Sequence, residues 1–292
     1  GLWFSGSRLQ AEGSALGNSA AASALDLDDG HRLAVGHPGA SIIPAVLAVG
    51  EEVQATGDEL LSAIIIGYEV GIRVSAARDL SSLDTMSTGR WCSYGAAAAG
   101  GWLRKLEPTL LAEALSVAGV QSPGLSAAGY SSAMGNSVKE GIPWSTFTGL
   151  SALRLVEKGF TGPVDLLDHP AYYQSQKILE GLGQEPLAIE KTYFKPYACC
   201  RWIHSALDAF IRLAAEYQLE AAEIKKIRVD TFKRSLTLNN YPNPDSLEGA
   251  QYSFPFCLAV AALKGKEGFL PMRSEFLRES EMVEFARRVE VR

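Results

Sequence analysis

The sequence has no apolar run long enough to cross a bilayer: ASIIPAVLAVG (residues 40–50) is too short, and SAIIIGYEVGI is interrupted by Tyr68 and Glu69. Its opening, GLWFSGSRLQ, lacks the basic and long apolar regions of a secretory signal, so no export is expected. Cysteine is scarce, with 4 in 292 residues, and the neighbours Cys199 and Cys200 are badly placed to bridge each other. That excludes a disulfide framework and fits a reducing cytoplasm. Positive charge is also short: Lys+Arg 27 against Asp+Glu 33 gives a net charge of -6, and no basic stripe with interleaved aromatics occurs, which excludes nucleic acid as a partner. GxGxxG and Walker patterns, internal repeats and low-complexity linkers are missing as well. Both ends read as cut, since residue 1 is not Met and the closing RRVEVR starts a strand with nothing after it to pair. The expectation is a fragment.

What is present suits a globular protein, with 47% apolar and 21% charged residues in a chain long enough for two domains. Helical spacing dominates the first two thirds. SIIPAVLAVGEEV carries Ile42, Ile43, Val46, Leu47 and Val49 on a broad apolar face, and GDELLSAIIIGYEVGIRVSAARD has acids early and Arg73 and Arg78 late, as a helix dipole favours. Further helices are expected over 108–120, with Pro108 in the first turn, and over 144–160, closed by Gly159. The small residues of GAAAAGG (95–101) and NSAAASA (18–24) predict close helix packing. From about Gly183 the pattern changes: PLAIEKTYF and KKIRVDTF alternate like half-buried strands, WIHSALDAFIRLAAEY and QYSFPFCLAVAALKG read as helices, and SEMVEFARRVEVR as helix then strand. The fold class expected is mainly α with α+β, a large helical domain over 1–184 and a smaller α/β domain over 185–292.

Three stretches can carry chemistry. In ALDLDDGHRLAVGHPGA (24–40), Asp26 and His37 flank a Gly/Pro-rich turn and can converge on one cavity for proton transfer, while Asp28, Asp29 and His31 read as helix-capping acids and an exposed histidine. In GNSVKEGIPW (135–144), Lys139 sits in a glycine-flanked bend where it can meet a substrate carboxylate. In FKPYACCRWIH (194–204), Lys195, Arg201 and His204 surround two thiols at a strand end and helix start, an anion site; Cys200 and His204, four apart, can instead form a thiolate pair or half a metal site, though no ligand spacing supports a metal. Asp and His with Lys and Arg suit a small di- or tricarboxylate held in a cleft between domains.

These motifs in order, GHPGASIIPAVLAVGE, LLSAIIIGYEVGIR, STGRWCSYGAAAAGGWL, VKEGIPW with GFTGP, KPYACCRWIH and AQYSFPF, resemble the 2-methylcitrate dehydratase family, MmgE/PrpD, whose relatives include cis-aconitate decarboxylase and iminodisuccinate epimerase. The resemblance covers nearly the whole chain. It implies a helical domain with an α/β lid, a homodimer, a cleft active site, no metal or organic cofactor, and family members extending past both ends of this sequence. It also implies catalytic roles for Asp26, His37, Lys139 and Lys195 and puts Cys200 and Met86 at family site positions; these two, with Arg201 and His204 of the basic FKPYACCRWIH stretch, are the substrate-binding candidates. The chain departs from the family at Gly30, in place of a threonine; at Met86, in place of a histidine; at Cys200, in place of the decarboxylase-type histidine; and at Phe256, in place of a tyrosine. Methionine and phenylalanine cannot move protons at neutral pH. The function expected is a hydro-lyase acting on a 2-methylcitrate-like hydroxypolycarboxylate, with an epimerase or decarboxylase, and an inactive carboxylate-binding homologue, as the alternatives.

Overall fold

A computed structural model describes residues 1–79, 81, 83, 85–123 and 136–292. The chain divides into two units with separate cores. The first takes residues 1–23, 28–123 and 138–194; the second takes Ala24–Leu27, residues 136 and 137, and Lys195–Arg292.

The first unit is built on helices α1 (Ala11–Ala24), α2 (Gly39–Val53), α3 (Gly57–Ala76), α4 (Cys92–Leu103), α5 (Pro108–Val120), α6 (Ile142–Val156) and the short α7 (Ser175–Leu179). Helix α2 buries Ile42, Val46 and Val49, the spacing that puts side chains on one face. Helix α3 is started by a capping box between Thr56 and Glu59 and carries Asp58 and Glu59 in its first turn and Arg73 in its last, as its dipole favours. Pro108 opens α5, where its missing N–H costs nothing. Helix α6 stops at Val156, earlier than the periodicity suggests, and Gly159 turns the chain at φ +85°.

Helix α4 is central, packed on α2, α3, α5 and α6. Its CSYGAAAAGGWL sequence buries small residues, and the fit is close: a Cβ on Gly95 would lie 2.7 Å from the Gly67 carbonyl oxygen, and one on Gly149 of α6 would lie 2.4 Å from that of Ser93. A cluster of charges ties helix ends together. Arg104, after α4, reaches Glu12 of α1, Glu52 of α2 and Glu157 after α6, and Arg154 of α6 pairs with Glu12 at 2.8 Å and Glu52 at 2.6 Å. The unit also holds a ribbon in which β1 (Asp29–His31) runs antiparallel to β2 (Thr192–Phe194). Only three residues of the expected PLAIEKTYF strand are extended, because Ala188–Lys191 folds into a 3-10 turn with the Ala188 N–H donating to Glu69 at 2.7 Å.

The second unit holds α8 (His204–Tyr217), β3 (Ile227–Val229), α9 (Leu247–Gln251), α10 (Phe254–Lys264), α11 (Ser280–Ala286) and β4 (Val289–Val291). Its core gathers Tyr197, Leu207, Phe254, Phe256, Phe269 and Phe285. Strand β4 does find a partner: it pairs parallel with β3, Ile227 opposite Val289 and Val229 opposite Val291. The closing strand, expected to have nothing after it to pair, is thus paired with a strand earlier in the chain. No helix among the described residues is long and apolar enough to cross a membrane.

Candidate active site

In the first unit the stretch after β1 folds back so that the His31 N–H donates to the Gly36 carbonyl at 2.9 Å, and α2 starts at Gly39. His37 is set between these two events. Its backbone N–H donates to Thr88 Oγ1 at 3.1 Å, and its Nδ1 lies 2.6 Å from the Asp29 carbonyl oxygen. A carbonyl only accepts, so Nδ1 carries the proton in the neutral ring and Nε2 keeps the lone pair. Nδ1 is also 3.6 Å from Asp28 Oδ1, and Nε2 is 3.8 Å from Glu140 Oε1.

Asp29 pins this arrangement. Its Oδ1 accepts the Gly39 N–H at 2.9 Å, capping α2, and its Oδ2 accepts the Tyr68 hydroxyl at 2.7 Å. Burial holds the Asp29 carboxyl above its ordinary value against the lowering pull of the Tyr68 bond, and burial next to Asp29 holds the Tyr68 phenol far above its own. The capping expected of the acids therefore falls to Asp29, while Asp28 stands beside the imidazole.

Glu140 reaches the imidazole from a strained turn. Lys139 (φ +46°), Glu140 (φ +56°) and Gly141 (φ +71°) follow one another in left-handed conformation just before α6. For the two residues with side chains this costs about 1–2 kcal/mol each, a strain that persists only when surrounding contacts enforce it. Those contacts are present: Glu140 Oε2 accepts from the Thr88 N–H at 2.9 Å and hydroxyl at 2.7 Å. A Cβ on Gly89 would sit 2.4 Å from the Glu140 carbonyl oxygen, so that glycine is what lets the two turns meet. Lys139 is 6% exposed, unlike an ordinary surface lysine.

The second unit carries a separate cluster. Lys195 Nζ lies 3.3 Å from both Asp26 Oδ2 and the Asp26 carbonyl oxygen, and the Lys195 side chain is fully buried. Asp26, at φ +50°, takes the left-handed conformation that an aspartate tolerates better than most residues. His204 opens α8, and its Nε2 lies 3.1 Å from the Cys199 carbonyl oxygen, so this ring is the opposite tautomer to His37. Burial, with Lys195 and Arg201 nearby, pushes its pKa down to about 4. Burial and the Cys257 thiol hold the Cys199 thiol well above its ordinary value, which removes it as a thiolate nucleophile. Arg201 and Cys200 are half-buried at the 3-10 turn Arg201–Ile203, with the Cys200 N–H donating to the Gln251 carbonyl at 2.9 Å.

Met86 is half-buried between Thr85 and Ser87, whose hydroxyls bond each other at 2.8 Å. One residue of the quoted motifs, Gly135 before the Lys139 turn, lies outside the described residues. His31 is corrected: it is 1% exposed, and burial lowers its pKa, because the β1–β2 ribbon and the turn to Gly36 enclose it. Glu140 and Thr88 were passed over by sequence reasoning; the signal available was the acid next to Lys139 in the same glycine-flanked bend. Among the described residues no group of His, Cys, Asp and Glu side chains is placed to hold a metal ion.

Comparison with known proteins gives a family and relatives. A family model described as the MmgE/PrpD N-terminal domain matches residues 1–176, and one described as the MmgE/PrpD C-terminal domain matches residues 197–292. Cis-aconitate decarboxylase of Aspergillus terreus (strain NIH 2624 / FGSC A1156) is 28% identical over 319 aligned positions, covering 97% of this chain and 64% of its own length. The cis-aconitate decarboxylase-like protein oryM of Aspergillus oryzae (strain ATCC 42149 / RIB 40) is 27% identical over 232 positions, covering 70% of this chain and 47% of its own. The chain therefore spans less than two thirds of the length of these relatives.

Proposed function

Because the chain belongs to the MmgE/PrpD family, matching both of its domain models, we propose that it is a lyase of small di- or tricarboxylates that builds and quenches negative charge on a carbon next to a carboxylate. One observation carries this reading: an imidazole whose Nδ1 lies 2.6 Å from the Asp29 carbonyl oxygen and whose Nε2 lies 3.8 Å from Glu140 Oε1. Such a ring is a one-site proton carrier, oriented before substrate arrives.

In the leading reading the reaction is dehydration of a hydroxypolycarboxylate. His37 Nε2 takes the proton next to the carboxylate, the electron pair left on carbon expels the hydroxyl, and the imidazolium returns its proton to that hydroxyl, releasing water. Asp28 and Glu140 steady the transient positive ring, and Glu140 is kept in place by Thr88. Lys139 and Lys195 take the substrate carboxylates, with Arg201 as a further cation, and Asp26 holds the Lys195 ammonium in place. Paired cations away from water contribute on the order of several kcal/mol to such a transition state.

A second reading is decarboxylation, favoured by the similarity to cis-aconitate decarboxylase. Carbon dioxide leaves, and the carbanion takes a proton from His37, which must start as imidazolium. The two readings have opposite pH signs. For dehydration kcat/KM rises with pH as the ring loses its proton; for decarboxylation it falls over the same titration. Offering hydroxypolycarboxylates and unsaturated tricarboxylates, and following alkene absorbance and carbon dioxide release across pH, separates them. In either case His37→Gln lowers kcat by about 10²–10⁴-fold with an unchanged circular dichroism spectrum, and Lys195→Met acts mainly on KM. An unimpaired His37→Gln enzyme removes the imidazole from the mechanism.

A further inference from the structure

Three turns of the first unit meet at one hydroxyl. Thr88, fully buried, is the first residue of the 3-10 turn Thr88–Arg90. Its Oγ1 donates to Glu140 Oε2 at 2.7 Å and accepts the His37 N–H at 3.1 Å. A carboxylate only accepts, so the single hydroxyl proton is committed to Glu140 and a lone pair to His37. Glycine permits the approach on both sides. A Cβ on Gly36, next to His37, would lie 2.5 Å from Thr88 Oγ1, and one on Gly89 would lie 2.4 Å from the Glu140 carbonyl oxygen.

On the far side of this contact is the left-handed turn through Lys139 and Glu140. Within the turn the Gly141 N–H donates to the Val138 carbonyl at 2.9 Å and the Ile142 N–H to the Lys139 carbonyl. Two residues with side chains in left-handed conformation need support from outside the turn as well. The Thr88 N–H and hydroxyl supply it through Glu140 Oε2. Lys139 stands one residue before Glu140, so an unwinding that carries Glu140 off Thr88 also re-aims the lysine.

We propose that the Thr88 hydroxyl is a positioning group that sets the spacing between the proton carrier and the carboxylate-binding lysine. It anchors the His37 backbone on one side and, through Glu140, the turn carrying Lys139 on the other. The inference rests on the reading above, in which His37 moves the proton and Lys139 meets a substrate carboxylate, and adds that one buried oxygen places both. Every variant at position 88 except proline keeps the backbone N–H, so the side-chain oxygen is what is tested. Thr88→Val keeps the shape but puts a methyl in its place. Carbon needs roughly 3.5 Å where the hydroxyl stands 2.7 Å from Glu140 and 3.1 Å from the His37 nitrogen, so both neighbours are pushed away. Thr88→Ser keeps the oxygen.

Propane-1,2,3-tricarboxylate is the probe: it has no hydroxyl to expel and no alkene, so its binding is read without turnover. Titrated calorimetrically into the whole chain, it is expected to bind saturably, about tenfold more weakly to Thr88→Val, the scale of a charge-assisted hydrogen bond, and close to the wild-type level to Thr88→Ser. Lys139→Met should weaken it by a similar factor. The double variant Thr88→Val/Lys139→Met should lose no more than either single one, because the hydroxyl acts through the lysine. Gly89→Ala presses a methyl on the Glu140 carbonyl and leaves the hydroxyl in place; it should show the same non-additive loss, which tests the turn even if Thr88→Val does not fold. With an acid that turns over, Thr88→Val should lower kcat as well as raise KM, since His37 moves too. No binding to the wild-type chain would overturn the polycarboxylate reading and this inference with it. Binding that Lys139→Met weakens and Thr88→Val does not would overturn the inference alone, as would equal losses in Thr88→Ser and Thr88→Val, or losses that add in the double variant.

Discussion

Two of the histidines show how little the residue type says before its surroundings are known. His37 and His204 are both buried, yet the Asp29 carbonyl claims Nδ1 of one and the Cys199 carbonyl claims Nε2 of the other. For His204 burial has a measurable consequence. Its pKa falls from 6.5 in an unfolded-like setting to about 4 in the fold, so between those values the unfolded chain binds the extra proton and acid works against folding. The His204 contribution is complete above 6.5, is lost as pH falls toward about 4, and amounts to about 3 kcal/mol over that window. Urea midpoints measured at pH 7 and pH 4.5 should therefore draw together in His204→Gln, whose amide keeps the bond to Cys199; an equal acid shift in both proteins would contradict it. Spacing pointed to Asp26, His37, Lys139 and Lys195 as chemically capable groups. The bonds that fix the groups around His37, Tyr68 to Asp29 and Thr88 to Glu140, join residues 39 and 52 positions apart, and Lys195 meets Asp26 across 169, separations no local pattern reports.

The helices of the first unit follow from the sequence because their cause is local: apolar spacing in α2, the capping box of α3, Pro108 in α5. Strands fared differently. β2 and β3 each keep three residues of longer alternating runs, since a strand extends only as far as a partner accepts its hydrogen bonds. The small residues of α4 did predict close approach, and its degree can be tested. Gly149→Ala places a methyl 2.4 Å from the Ser93 carbonyl oxygen, a backbone atom, and the strain should cost about 1–3 kcal/mol by urea denaturation. Gly57→Ala, at the start of α3 with nothing within 4 Å, should be neutral or slightly stabilising. If Gly149→Ala is as stable as Gly57→Ala, α4 and α6 are not packed as described.

Across the whole molecule the acidic balance sets colloidal behaviour. With a net charge of -6 at pH 7 and a pI near 5.4, turbidity should be greatest near pH 5.4 and fall on either side, and added salt at pH 7 should change it little. A solubility minimum far from that value would mean that the ionisations in the fold differ from those of the free side chains. The chain's assignment to MmgE/PrpD and its mainly helical class with a small α+β part were legible in ordered motifs, because both depend on residue type and spacing along the chain. So was the absence of a membrane-crossing helix among the described residues. Which nitrogen of each imidazole meets a carbonyl, that His31 is enclosed, that Asp29 is a structural pin, and that β4 reaches back to β3 were decided by tertiary structure alone. Each depends on which carbonyl, hydroxyl or backbone turn arrives from a distant part of the chain. Hydrogen bonds and burial act over a few ångströms in space, and only folding converts separation along the sequence into that proximity.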